Sequence, residues 1–312
     1  MPESLRAPAR RLRALLAEPG LRIMPCCFDA LSARLVERAG FSLTFMSGFG
    51  VSAARLALPD TGLLSYGEIL DQGRDLCGAV SIPVIGDADT GYGNPVNVKR
   101  TVHGYGRAGF ACAMIEDQLA PKRCGHTRGK EVVPRAEALA RIRAAVDARD
   151  EGAGVLIMAR TDARAPLGLD EALERGRAFA ELGADLVFVE APRSEAEMER
   201  VCREIPAPQM ANLVEEGDTP WLSPARLEAL GYKIVAHPLT LLSAAVRAMQ
   251  DALAELGEGR PVKGLLPFAE LRALVGFPDY DRERTRYAPD VCTEADLDPG
   301  ASPAPTPRRR GG

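Results

Sequence analysis

Eight short apolar runs, each followed by a stretch of helical period, constrain this chain more than any other feature. They are Arg22–Pro25, Leu43–Met46, Ile82–Gly86, Ala111–Ile115, Val155–Ala159, Leu186–Val189, Pro208–Ala211 and Lys233–Ala236. Many are β-branched, and most run into polar residues. Between them apolar residues recur three and four apart, as at Leu139, Ile142 and Val146, and at Leu239, Leu242, Val246, Met249 and Leu253. That spacing gives a helix one buried face. Strands alternating with helices pair in parallel, because each return crosses over through a helix. Eight such units predict an α/β fold of the (β/α)8 TIM-barrel type, which takes about 250 residues. An open doubly wound sheet is the alternative, but it normally has fewer strands in one layer and a recognisable crossover point.

Charge and composition narrow the function classes. The 312 residues carry 39 Lys and Arg against 43 Asp and Glu, a net charge of −4. A nucleic-acid binder usually shows a basic excess or stripe, so none is expected as a partner. No apolar run reaches the ~18 residues that a membrane helix needs. The first twenty residues hold Arg6, Arg10, Arg11 and Arg13 without an apolar core, unlike a secretory signal. The seven cysteines, at 26, 27, 77, 112, 124, 202 and 292, include no C-x-x-C pair, which suits reduced thiols in a cytoplasmic protein. Cys77, Cys112 and Cys202 read as small core residues. Gly104, Gly106 and Gly109 spell G-x-G-x-x-G. They end a helical pattern and precede a strand, the reverse of a dinucleotide fingerprint, so they read as helix-end glycines.

The chain divides into a barrel with an N-terminal helix (1–256), a helical extension for assembly (257–290) and a disordered tail (291–312). The extension holds a second helical stretch, about Leu265–Val275, followed by Pro278-Asp-Tyr280. The tail carries Pro303, Pro305, Pro307 and Arg308–Arg310.

In a barrel of this kind reactive groups lie just beyond the C-terminal ends of the strands. Those positions hold Ser47 and Gly48, Asp87 and Asp89, Glu116 and Asp117, Arg160 and Asp162, Glu190, Asn212 and Glu215, and His237. Five or more carboxylates at one mouth cannot all stay ionised without a shared cation. Oxygen ligands favour Mg²⁺ or Mn²⁺ over zinc. Asp87 and Asp89, two apart at one strand end, are the metal candidates. Asp162 fits a metal or an arginine–carboxylate network equally well. After the fourth strand comes Lys122-Arg-Cys-Gly-His126. Two cations and a histidine beside Cys124 lower its pKa and suit it to proton exchange, and the glycine lets backbone approach a ligand.

Asp87-Ala-Asp-Thr-Gly91, Ile115-Glu-Asp-Gln118, Lys122-Arg-Cys-Gly-His126 and Ala159-Arg-Thr-Asp162 together resemble the isocitrate lyase/phosphoenolpyruvate mutase superfamily, over about Pro25 to Leu256. Ser47-Gly-Phe-Gly-Val-Ser-Ala-Ala54, Leu58-Pro-Asp60, Thr161-Asp-Ala-Arg-Ala-Pro166 and Phe188-Val-Glu-Ala-Pro192 place the likeness nearest its petal death protein and 2,3-dimethylmalate lyase group.

The resemblance implies a Mg²⁺-dependent (or Mn²⁺-dependent) carbon–carbon lyase. Its substrate would be a 2-hydroxy dicarboxylate, a substituted malate, split into a 2-keto acid and a carboxylic acid through an enolate. It further implies Asp87, Asp89 and Asp60 for the metal, with Asp60 and Glu116 in the outer shell. Ser47, Gly48, Phe49, Gly125, Arg160, Glu190, Asn212 and Glu215 would contact substrate. Cys124 would donate the proton, with Lys122, Glu116 and His126 as further catalytic groups. A homotetramer, a dimer of dimers that exchange the C-terminal helix, is implied as well. Carboxyphosphonoenolpyruvate phosphonomutases share the cysteine loop, and methylisocitrate lyases and oxaloacetate hydrolases share the scaffold, so these remain alternatives. Phe45 stands where methylisocitrate lyases usually have Tyr. Phe268 stands where they carry an Arg for a third carboxylate. Pro238 stands where oxaloacetate-preferring relatives tend to have Ser. Phe49, Phe188 and Pro238 are expected as pocket walls.

Overall fold

The structure, a computed structural model, describes residues 3–123 and 129–288, with side chains from residue 7. Helix α1 (Glu3–Ala17) leads into β1 (Arg22–Cys27), α2 (Ala30–Arg38), β2 (Thr44–Met46) and a short α3 (Gly48–Val51) that continues as a π turn to Leu56. Then follow α4 (Tyr66–Ala79), β3 (Val84–Asp87), α5 (Pro95–Ala108), β4 (Cys112–Glu116), α6 (Arg135–Ala148) and β5 (Leu156–Thr161). The barrel is completed by α7 (Arg164–Leu167), α8 (Leu169–Glu181), β6 (Leu186–Val189), α9 (Glu195–Glu204), β7 (Gln209–Asn212), α10 (Pro224–Leu230) and β8 (Tyr232–His237). The eight strands pair in parallel in chain order, and β8 closes on β1 with Arg22 opposite Ile234. The (β/α)8 barrel expected from the alternation is present.

Several strands run past the apolar runs into charged residues. Asp87 pairs opposite Met114 and Glu116 opposite Arg160. Ladder bonds to both neighbours satisfy the backbone there, so a charged side chain does not end the strand. Helix starts are set by local chemistry. Asp29, Ser65 and Asn94 each close a capping box at the head of α2, α4 and α5, which satisfies amides that the helix itself leaves unpaired.

Side chains along each strand alternate between two cores. One set, with Met24, Phe45, Ile85, Met114, Met158, Phe188, Met210 and Ala236, fills the lumen. The other, with Met46, Val84, Ala113, Ile157 and Val187, packs under the helices. Leu12 of α1 is fully buried against the lumen cluster, where α1 plugs one end of the barrel. The other end is left to the site.

The glycine motif is a packing device. A Cβ on Gly104 would lie 1.9 Å from the Tyr66 hydroxyl, and one on Gly106 would lie 1.9 Å from the Ala153 carbonyl oxygen. Gly109 caps α5 in the left-handed region at φ 99°. The five described cysteines are free thiols; Cys26, Cys27 and Cys112 are buried, whereas Cys77 and Cys202 are only partly so.

The chain separates into a unit of residues 1–254 and a second of 255–312, with α11 (Thr240–Gly257) running across the boundary. The second unit contains α12 (Phe268–Leu274), inside the stretch expected to be helical, and α13 (Phe277–Arg286). Pro278 lies in the first turn of α13. There its missing N–H costs no helical bond. No helix among the described residues is long and apolar enough to cross a membrane.

Candidate active site

The lumen series continues upward, two residues at a time, into the site. Phe45 leads to Ser47, Ile85 to Asp87, Met114 to Glu116, Met158 to Arg160, Phe188 to Glu190 and Met210 to Asn212. Period two along a strand keeps these side chains on the inner face. Ser47, Phe49, Asp60, Asp87, Arg160, Phe188, Glu190, Asn212 and Pro238 line one cavity, with Cys26, Phe45, Met114, Met210, Val214, Ala236 and Leu239.

One half of the site is acidic. The Lys122 ammonium lies 2.6 Å from Asp60 Oδ1 and 2.8 Å from Asp89 Oδ1. Asp87 Oδ1 accepts from the Asp89 backbone N–H at 3.0 Å, and the Asp87 carbonyl oxygen accepts from the Tyr105 hydroxyl. Burial pushes the Asp87 carboxyl up to about 6; Lys122 pulls it back, while Asp89 and Asp60 push it further. A Cβ on Gly48 would stand 2.6 Å from Asp87 Oδ2, so only glycine lets α3 come this close.

The other half is built around Arg160. Its Nε and Nη2 bond Asp162 at 2.8 and 3.0 Å, Nη2 reaches Glu190 at 3.0 Å, and Nε lies 3.3 Å from Glu116 Oε2. The guanidinium carbon sits 5.4 Å from the Phe188 ring centre. Among the described residues these contacts leave Nη1 available to a ligand. Lys130 bonds Asp162 Oδ1 at 2.9 Å. Burial alone raises the Asp162 carboxyl, but Arg160 and Lys130 outweigh it and hold the group below its ordinary value. Asp162 thus sits in an ion-pair network with Arg160 and Lys130. Asp117 is part of the same support: it accepts from the Thr161 hydroxyl, the Asp162 backbone N–H and Arg175. Among the described residues Glu116 finds no hydrogen-bond partner for either oxygen. Burial raises its pKa well above the ordinary carboxylate value, against the pull of Arg160.

Among the described residues six carboxylates (Asp60, Asp87, Asp89, Glu116, Asp162 and Glu190) thus share Lys122, Lys130 and Arg160. A surplus of buried negative charge calls for protons or a further cation. Among the described residues no three metal-ligating side chains stand as a ready-made cage. The all-oxygen donor set nevertheless fits a hard divalent ion, which keeps several waters and needs one or two carboxylates.

Glu215 stands apart. It is exposed and bonds the Thr240 hydroxyl rather than lining the cavity. Cys124, Gly125 and His126 lie outside the described residues. Lys130, Met210, Val214 and Leu239 are site residues that the strand-end reading missed. Met210 was within reach, since it stands two before Asn212 on the same strand. Lys130 had no such signal, because it belongs to a loop.

A family model described as phosphoenolpyruvate phosphomutase matches residues 12–257. The chain belongs to this family. It is 43% identical to 2,3-dimethylmalate lyase of Eubacterium barkeri, covering 90% of this chain and 98% of that one. It is 38% identical to 2-methylisocitrate lyase of Aeropyrum pernix, covering 90% and 91%. Among solved structures, oxaloacetate acetylhydrolase in complex with the inhibitor 3,3-difluorooxalacetate superposes with a TM-score of 0.86 at 35% identity, covering 90% and 97%. Phosphonopyruvate hydrolase in complex with oxalate and Mg²⁺ gives 0.80 at 32%, covering 90% and 99%. The family places the chain among the enzymes of the isocitrate lyase/phosphoenolpyruvate mutase superfamily, which includes lyases and mutases.

Proposed function

We propose that the enzyme cleaves a 2-hydroxy dicarboxylate, a substituted malate such as 2,3-dimethylmalate, into a 2-keto acid and a carboxylic acid, with Mg²⁺ or Mn²⁺ bound. The observation that carries this reading is the division of one cavity into three chemistries. Asp60 and Asp87 offer hard oxygen donors on one side, with Asp89 beside them, and Arg160 offers N–H donors on another. Phe45, Phe49, Phe188, Val214, Pro238 and Leu239 supply apolar walls. A metal-chelating hydroxy acid, one further carboxylate and alkyl branches match those three in turn. The magnesium complex of phosphonopyruvate hydrolase, a protein of the same fold, supports the choice of metal.

When bound, the metal would favour loss of the substrate hydroxyl proton by stabilising the alkoxide charge. The remaining work falls to the chain. Asp87 and Asp89 would hold the ion. Arg160, fixed by Asp162 and Glu190, would orient the distal carboxylate through Nη1. As the C2–C3 bond breaks, its electron pair passes into that half of the substrate as an enolate. The guanidinium stands ready for the added charge, and a preorganised donor of this kind is worth about 10²–10³ in rate. A proton then adds at C3; the resemblance assigns that step to Cys124.

Among the described residues the cavity lining holds no cation besides Arg160 to meet a third carboxylate, as in methylisocitrate. Unpaired burial of a charge is costly, which favours a dicarboxylate. Pro238 offers no hydroxyl, which weighs against oxaloacetate hydrolysis. The test is product analysis against substituted malates, oxaloacetate and methylisocitrate, with and without Mg²⁺. Cleavage of a substituted malate in preference to the others supports the reading. A new carbon–phosphorus resonance after incubation with a phosphoenolpyruvate-type substrate would replace it with a mutase.

A further inference from the structure

Lys122 is almost entirely buried, yet its ammonium bonds two carboxylates, Asp60 and Asp89, that the functional reading gives to a metal. The same ammonium lies beside Gly48, 3.5 Å from where a Cβ would be, in the space that also brings Asp87 Oδ2 against that glycine. A charged side chain enters such a place only if its partners there replace its hydration. Asp60 and Asp89 do so, at 2.6 and 2.8 Å. The acidic cluster therefore already contains one cation, supplied by the chain.

We propose that Lys122 is the resident cation of the metal-free enzyme and that its charge weakens the binding of the divalent ion. It holds the carboxylates together when no metal is present. It repels a second cation brought to the same oxygens, and it must give up part of its contact with Asp60 or Asp89 when one arrives. Metal occupancy is then set by competition between a tethered ammonium and a free ion, which makes the enzyme responsive to metal concentration. The proposal rests on the metal reading above, and its test separates the two.

The experiment is calorimetric titration of Mg²⁺, and separately Mn²⁺, into the full-length protein with no substrate, for wild type, Lys122→Met and Lys122→Arg. Lys122→Met should bind Mg²⁺ at least tenfold more tightly than wild type, because repulsion is gone. Its metal-free thermal midpoint should fall, since the aspartates have lost their counterion, and Mg²⁺ should restore it. Lys122→Arg keeps the charge and should stay within about threefold of wild type. If metal-free Lys122→Met does not fold, recovery of folded protein on adding Mg²⁺ supports the proposal, and no recovery overturns it. Equal or weaker Mg²⁺ binding by Lys122→Met, with wild type binding normally, overturns the proposal and leaves the metal reading intact. Failure of every variant to bind either ion overturns both.

Discussion

Asp87 and Arg160 carry the two halves of the site, and each makes a separate demand on experiment. Burial holds the Asp87 carboxyl near 6 in the metal-free enzyme, so the folded state keeps its proton more tightly than the unfolded chain does. Its contribution to metal-free stability is present below the ordinary carboxylate value and is lost as pH rises through about 6. A metal must displace that proton. Apparent Mg²⁺ affinity should therefore be flat above pH ~6 and fall about tenfold per unit below it; affinity that stays constant down to pH ~5 would exclude Asp87 as a ligand. Arg160 is held by bidentate geometry that an ammonium cannot reproduce. Arg160→Lys should keep much of the stability but lose at least ~10²-fold in kcat/KM. Arg160→Gln leaves buried carboxylates short of a cation and should also cost about 3–5 kcal/mol in denaturant unfolding. Wild-type kcat/KM in the lysine variant would remove the guanidinium from substrate binding.

At the scale of elements, the inward register of the strands explains why so much of the site was legible. Residues at positions 47, 87, 116, 160, 190 and 212 follow the lumen residues by two, so finding a strand end also finds a site residue. What stayed hidden came from loops and from contacts distant in sequence. Lys130 reaches Asp162 across 32 residues, and nothing in its neighbourhood marks that pairing. Glu215 follows a strand closely, yet it lies beyond the register that points inward and bonds Thr240 instead. The glycines of α5 teach the same lesson, because their constraint lies in Tyr66 and Ala153 rather than in any local pattern. Gly106→Ala should destabilise the protein by about 1–3 kcal/mol, since overpacking here meets backbone. Gly78→Ala in α4 meets nothing within 4 Å and should stabilise by about 0.5–1 kcal/mol. Denaturant unfolding checks the pair, and equal effects would deny that Gly106 is a close-approach residue.

For the molecule as a whole, α11 poses the question of assembly. Every unit before it ends in a helix with a buried face, but no residue of α11 is buried. Val246, Met249 and Leu253 are 41%, 56% and 67% exposed, and they recur at helical spacing on one stripe. Burying such side chains is worth about 1.5–3 kcal/mol each, which favours covering the stripe with a second copy. The resemblance implies an exchanged C-terminal helix, expected after Gly257; the exposed stripe makes α11 the element to test for that role. The stripe also touches the chemistry. Phe49 and Leu239 line the cavity and, with Leu242, Val246 and Gln250, a groove along α11. A neighbour seated in that groove would stand at the mouth of the site and exclude water from it. Val246→Asp with Met249→Asp should accordingly give smaller species than wild type in sedimentation velocity. Substrate turnover should fall in step, while Mg²⁺ affinity, set by the aspartates inside the barrel, should stay within about twofold. A double variant that sediments like wild type would mean that α11 mediates no assembly. Dissociation with turnover intact would mean that the groove is covered for stability alone.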